Sequence, residues 1–223
     1  MKTHKKIRAI LLCAMFLISA VLLAACAPSY DPPKSNEELY GATKDLVYTN
    51  TYLGFSLTYP AGWTILDDEQ INELWAQGIE QIKAAFTDAE EAEKAVSENI
   101  PVEVAFRYPL GYADGFNDNF NMIIKEAPAQ MTANIKEAAE SIAAVAEEAS
   151  GSLKYEQPQI VTISGVELAV MDATQNALGF ETRSKQILFA RKNYLVICTL
   201  SAGDAASLEE IGTLINAFTF TEI

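Results

Sequence analysis

Hydrophobic positions along the chain switch between a period of two and a period near 3.6, and each stretch predicts an element. Phe55, Leu57 and Tyr59 alternate as in a half-buried strand, which stops at Pro60-Ala61-Gly62 before Trp63 opens another short extended piece. A helix follows from Asp67 or Asp68, because Ile71, Leu74, Trp75, Ile79 and Ile82 share one face. Thr87-Asp88-Ala89-Glu90 fits a capping box, in which the threonine oxygen and the glutamate each satisfy a free backbone N–H, and predicts a second short helix. Val102, Val104, Phe106 and Tyr108 restore strand periodicity, and Phe120, Met122 and Ile124 do so again after a polar loop. The longest predicted helix covers residues 129–149, with Met131, Ile135, Ala138, Ile142, Val145 and Ala149 on its apolar stripe. Alanine there lets the helix lie close against a sheet, while Lys136, Glu137, Glu140, Glu147 and Glu148 stay in solvent.

The second half reads as strands at Leu153 to Gln157, Gln159 to Ile163, Val166 to Thr174, Arg183 to Ala190 and Tyr194 to Leu200. Tight connections at Ser164-Gly165 and Lys192-Asn193 make two antiparallel hairpins. Ser207-Leu208-Glu209-Glu210 offers another capping box; Leu208, Ile211, Ile215 and Phe218 mark the inner face of a last helix, and an edge strand closes the chain over 218–223. Helices grouped between sets of strands, with hairpins dominating the second half, predict an α+β fold. The expected form is an α/β/α sandwich with a central, mostly antiparallel sheet. No repeat with a period of 20 to 50 residues is present.

The first 26 residues carry a different signal. Lys2, Lys5, Lys6 and Arg8 form a basic start, Ala9 to Leu23 supply an apolar run, and Leu23-Ala24-Ala25-Cys26 closes it. This resembles the signal and lipobox of a bacterial lipoprotein. The resemblance implies a mature chain that begins at Cys26 with a diacylglyceryl group on its sulfur. Two acyl chains, at roughly 0.8 kcal/mol per buried CH₂, anchor firmly where one would be marginal. An uncleaved membrane anchor is the alternative, since the uncharged stretch from Ala9 to Ala27 nearly reaches the roughly 20 residues a span requires. Either arrangement puts the rest of the chain on the extracytoplasmic face of the membrane. An outer-membrane address stays open for a two-membrane host, because no aspartate follows Cys26. The expected organisation is a signal over 1–25, a Pro- and Ser-rich flexible tether over 26–45 with at most a helical turn at Glu37 to Tyr40, and one domain over 46–223.

Charge and composition narrow the chemistry. Without its first 25 residues the chain has 12 basic and 30 acidic residues, a net charge of −18. Such a field repels nucleic acid and admits cationic partners or metal ions; it also serves solubility alone. The single histidine, His4, lies in the signal, so imidazole-based triads, dyads and zinc sites are excluded from the mature chain. Cys13 leaves with the signal and Cys26 takes lipid, which leaves Cys198, inside the apolar run Leu195 to Leu200, as a core thiol without a disulfide partner.

The run Gly54-Phe55-Ser56-Leu57-Thr58-Tyr59-Pro60-Ala61-Gly62-Trp63 resembles the opening strand of PsbP-like proteins. Asn119-Phe120-Asn121-Met122-Ile123 resembles that family's strand after a polar loop. The stretch from Tyr194 to Ala202, an acidic helix and Phe218 resembles its ending. The resemblance covers about Thr51 to Phe220. It implies a non-enzymatic α/β/α domain, of the kind found in an extrinsic photosystem II subunit, in a nuclear-import factor that binds a small GTPase, and in bacterial envelope lipoproteins. Nothing here matches the photosystem protein's docking extension.

Candidate chemistry is sparse. The loop from Tyr112 to Asn119 is rich in oxygen ligands but fails the EF-hand frame, and its Asn and Asp residues suit turns. Tyr108, Tyr112, Phe116 and Phe120 crowd the same region, as a contact surface or as packing beneath the loop. Trp63 and Trp75 read as core. Asp67-Asp68-Glu69 and Glu90-Glu91-x-Glu93 could pair carboxylates for glycoside hydrolysis, yet acids there suit helix first turns and exposed faces. No GxSxG, GxxxxGK[ST] or GxGxxG motif occurs. The expectation is a membrane-anchored accessory or binding module with no catalytic, metal or cofactor site. Its partners are the bilayer and an envelope protein or small ligand. A cation or small-solute binder comes next, and a carboxylate-dependent hydrolase is the remote alternative.

Overall fold

A computed structural model describes residues 32–85, 98–177 and 180–223. The signal, Cys26, and the capping box at Thr87 lie outside the described residues. In chain order the elements are α1 (Asn36–Tyr40), β1 (Ala42–Lys44), β2 (Val47–Asn50), β3 (Phe55–Thr58), β4 (Thr64–Ile65), α2 (Asp68–Ala85), β5 (Ile100–Phe106) and β6 (Asn119–Glu126). Then come α3 (Ala129–Ala133), α4 (Ile135–Ala149), β7 (Leu153–Tyr155), β8 (Gln159–Ile163), β9 (Val166–Ala177), β10 (Phe180–Arg191), β11 (Tyr194–Ala202), α5 (Ala205–Gly212) and β12 (Phe218–Phe220).

The described strands form two antiparallel sheets. The larger runs β4-β5-β6-β11-β10-β9-β7, with β8 also paired to β9; the smaller runs β1-β2-β3-β12. Both expected hairpins form. Ser164 and Gly165 take φ values of 50° and 81°, and Lys192 takes 54°, the left-handed pair and single residue that tight turns between strands require. The large sheet buries both faces. Against one lie Ile71 and Trp75 of α2, Met131 of α3 and the alanine stripe of α4, over Val104, Ile123, Leu188, Leu195 and Ile197. Against the other lie the small sheet and α5, over Phe120, Met122, Ile187, Phe189, Val196, Cys198 and Leu200. The α+β class and the central antiparallel sheet therefore stand as expected. The second face is covered by the small sheet together with α5.

Three local expectations change. The tether does not extend to residue 45, since α1 and β1 belong to the domain. Leu39 is buried, Asn50 Nδ2 donates to its carbonyl at 2.7 Å, and the Tyr48 hydroxyl donates to the Tyr40 carbonyl at 2.6 Å. Those donor side chains come from β2, so a polar segment is ordered by its neighbours rather than by its own composition. The long helix is two helices, broken at Asn134 (φ −134°, ψ 85°), whose side chain accepts from the Glu137 N–H. An Asn side chain competes locally for backbone groups and favours a cap over a helix interior. Asn134→Ala is expected to destabilise the protein by about 1 kcal/mol, the usual value of an N-cap. A urea midpoint equal to that of the native chain would show the cap to be dispensable. Finally, α5 starts at Ala205, ahead of Ser207. Asp204 caps it, with Oδ1 accepting the Ser207 N–H at 2.9 Å and Oδ2 accepting its hydroxyl at 3.2 Å. Ile215 falls in a following 3-10 turn and Phe218 in β12.

Candidate ligand cleft

The connection between β5 and β6, residues 107–118, folds back over the first turns of α2. Its neck is closed by side chains imitating a strand pair. Asn117 Oδ1 accepts the Tyr108 N–H at 3.0 Å, and Asn117 Nδ2 donates to the Tyr108 carbonyl at 3.0 Å. Beneath them Arg107 N donates to the Asp118 carbonyl at 2.8 Å. The Arg107 guanidinium bonds Glu210 of α5 at 2.6 Å and Asp118 at 3.3 Å. Within the loop Tyr112 N donates to the Pro109 carbonyl at 3.2 Å, and Gly111 (φ 92°) supplies the left-handed turn. The rings of Tyr108 and Tyr112 stack at 4.4 Å. Phe116 lies on Gly203, where a Cβ would come within 2.9 Å of its own Cβ.

The opposite wall is α2. A reciprocal box sets its start, because Asp67 Oδ1 accepts the Gln70 N–H at 2.9 Å while Gln70 Oε1 accepts the Asp67 N–H at 3.1 Å. Gln70, Glu73, Leu74 and Gln77 then follow at spacings of three and four, on one helix face. Between this face and the loop lies a cleft of about 350 Å³. Leu66, Leu74, Phe106, Leu110, Tyr112 and Phe116 give it apolar walls, and Gln70, Glu73, Gln77, Asn117 and Asn119 its polar points. Leu110 is 52% exposed.

Asn119 sits in the cleft wall and is 1% exposed. Its Nδ2 donates to the Asn117 carbonyl at 3.1 Å, which fixes the amide's orientation; its Oδ1 has no partner. Two residues along the same face of β6, Asn121 Nδ2 is also without a partner, and so are both polar ends of Gln186. Asn121 and Gln186 stand in one row across β6, β11 and β10, through Thr199. A buried polar atom left unpaired costs about 1–3 kcal/mol, so natural folds keep few of them without a purpose.

The solution structure of cyanobacterial PsbP (CyanoP) from Synechocystis sp. PCC 6803 matches with a TM-score of 0.51 and 15% identity, over 81% of this chain and 98% of that one. The chain has the PsbP-like fold. LpqN of Mycobacterium tuberculosis, described as involved in cell envelope biogenesis, aligns at a TM-score of 0.46 and 10% identity, over 75% of this chain and 83% of that one. No family model and no curated protein matches the chain.

Within the PsbP-like domain, three of the four aromatics singled out in the sequence collect at the loop: Tyr112 and Phe116 line the cleft and Tyr108 stacks behind Tyr112. Phe120 points the other way, fully buried between the sheets, its ring 5.6 Å from that of Tyr59. Asn117 and Asp118, considered as cation ligands, are engaged in holding the loop neck. Among the described residues no three His, Cys, Asp or Glu side chains cluster as a metal site. Trp75 is core, and Trp63 is half-buried against Tyr59 at 5.9 Å. Asp67 serves as a cap, with Asp68 and Glu69 exposed in the first turn of α2; Glu90, Glu91 and Glu93 lie outside the described residues. Cys198 is fully buried, and burial pushes its thiol well above the ordinary range. No helix among the described residues is long and apolar enough to cross a membrane.

One acid is buried away from the cleft. Glu103, on β5 beside a register shift, is 3% exposed and lies on the face covered by the small sheet. Thr43 Oγ1 of β1 donates to both carboxyl oxygens at 2.9 Å. Burial pushes its pKa up to about 8, against the opposing influence of Thr43 and then Tyr59. The Tyr59 hydroxyl, also raised by burial, makes no hydrogen bond of good geometry.

Proposed function

We infer that the protein is an extracytoplasmic lipoprotein, anchored through Cys26, whose PsbP-like domain is a non-catalytic binding or accessory module that works through the cleft between α2 and the 107–118 loop. The observation that carries this reading is the cleft itself, which has a loop wall tied at its neck by Asn117, mostly apolar surface and an orphaned polar atom. Small-molecule and peptide sites share that make-up. Among its described lining residues Glu73 is the only charged side chain and no nucleophile stands beside a base, an arrangement suited to holding a ligand rather than to turning one over. Cationic start, apolar run and Cys26 support the address.

Two measurements on cells making the full chain test the reading. Intact mass of the membrane-extracted protein is expected to match a chain starting at Cys26 and carrying acyl chains, and Cys26→Ala is expected to abolish that species. A photoreactive residue in place of exposed Leu110 is expected to crosslink to one reproducible component, unlike the same probe in place of Glu140 on α4. An unacylated chain in the cytosol would refute the anchor, and equal crosslinking from both positions would refute the cleft as the working surface.

A further inference from the structure

We propose that the cleft binds a small organic cation: an apolar ring or short chain that carries an amine. The inference rests on the binding-module reading and names its ligand chemistry. At about 350 Å³ the cleft is at the small end of natural ligand sites. Leu74, Phe106 and Phe116 offer surface for an apolar body. The polar needs left open are those of acceptors. Asn119 Oδ1 is buried, unpartnered and fixed in orientation by the Nδ2 bond to Asn117. Glu73 contributes a carboxylate on the α2 wall. No lysine or arginine is among the described lining residues, and the Arg107 guanidinium at the loop neck is bonded to Glu210 and Asp118.

Three ligand types can be weighed against that set. An anion would meet Glu73 with no compensating charge in the lining, inside a chain whose net charge is −14. A neutral hydrocarbon would fill the walls and leave Asn119 Oδ1 orphaned. An ammonium supplies the donors that the Glu73 carboxylate and the unpartnered Asn119 Oδ1 lack, and the Tyr112 ring in the lining adds a face that attracts cations.

The test uses the processed, lipidated chain in lipid nanodiscs and three probes with the same phenyl ring: phenethylamine, phenethyl alcohol and hydrocinnamate. Calorimetry is expected to rank them amine, alcohol, acid. Asn119→Ala should weaken the amine about tenfold, the usual effect of losing a hydrogen bond to a charged group. Glu73→Gln should weaken it about threefold, because a solvent-exposed ion pair contributes little. Glu73→Lys, at an exposed position that threatens no packing, is expected to reverse the order in favour of hydrocinnamate, and it decides the matter even if Asn119→Ala folds poorly. Equal affinity for amine and acid, an unchanged order in Glu73→Lys, or no binding of any probe would overturn the proposal. Crosslinking through Leu110 would then still report on the binding-module reading separately.

Discussion

Truncation of Phe189 to alanine is expected to cost about 3–5 kcal/mol of stability, a large part of the roughly 5–15 kcal/mol that holds an ordinary domain folded. Phe189 stands on β10, fully buried, where the large sheet meets the small one. Its ring lies 5.1 Å from Phe55 of β3, 5.5 Å from Phe218 and 5.1 Å from Phe220 of β12, each in an edge-to-face arrangement. Pairs of that geometry add to simple area burial. These rings from β3 and β12 pack on Phe189 from both small-sheet strands at once, so the cavity left by alanine cannot be closed by one side chain turning. Urea unfolding should show a lowered midpoint with an unchanged slope. A loss below about 1 kcal/mol would mean that the small sheet is not held by these rings. The cleft opens on the opposite face of the large sheet, so any variant protein that still folds is expected to keep its ligand affinity.

What was legible in the sequence follows from where each element gets its stability. Strands β8 to β11 announce themselves because Ser164-Gly165 and Lys192-Asn193 put a Gly and an Asn, the usual residues of tight turns, between extended runs, and because the run Leu195 to Leu200 is apolar on both faces. β1 and β2 carry no such mark. Ala42, Thr43 and Lys44 neither alternate in polarity nor form a run, and their order comes from contacts distant in sequence, such as Thr43 with Glu103. The break at Asn134 hid for another reason. Met131 and Ile135 are four apart on either side of it, so the apolar stripe crosses the break undisturbed. The cleft was half visible. Tyr112 and Phe116 could be recognised as aromatics in a polar loop, but Gln70, Glu73 and Gln77 look like the solvated side of an amphipathic helix. Only the return of the 107–118 loop turns that side into a wall. Asn119 and Asn121 were misleading in the same way, since alternation with Phe120 and Met122 reads as one face in water, whereas β6 is covered on both.

Glu103→Gln is expected to remove most of the loss of stability that the native protein suffers between about pH 5 and pH 8. In the folded chain burial holds the Glu103 carboxyl protonated up to about pH 8, while its ordinary value is 4.5. Between those limits the folded state binds one more proton than the unfolded state, so stability falls as pH rises and the full cost is reached above pH 8. At about 1.4 kcal/mol per pH unit, a shift of this size amounts to something on the order of 4 kcal/mol. Glutamine mimics the neutral acid and can still accept from the Thr43 hydroxyl. Its stability should therefore match that of the native chain near pH 4.5 and exceed it progressively up to pH 8. Urea titrations of both proteins across that range would run parallel if Glu103 were in fact solvated, and the assignment would then fail. A second substitution separates the causes. The Thr43 hydroxyl favours the ionised form and Asp68 disfavours it, so Thr43→Val should move the native chain's transition to higher pH, whereas Asp68→Asn should move it lower. Burial is the largest cause, and both shifts should be small beside the one that glutamine abolishes.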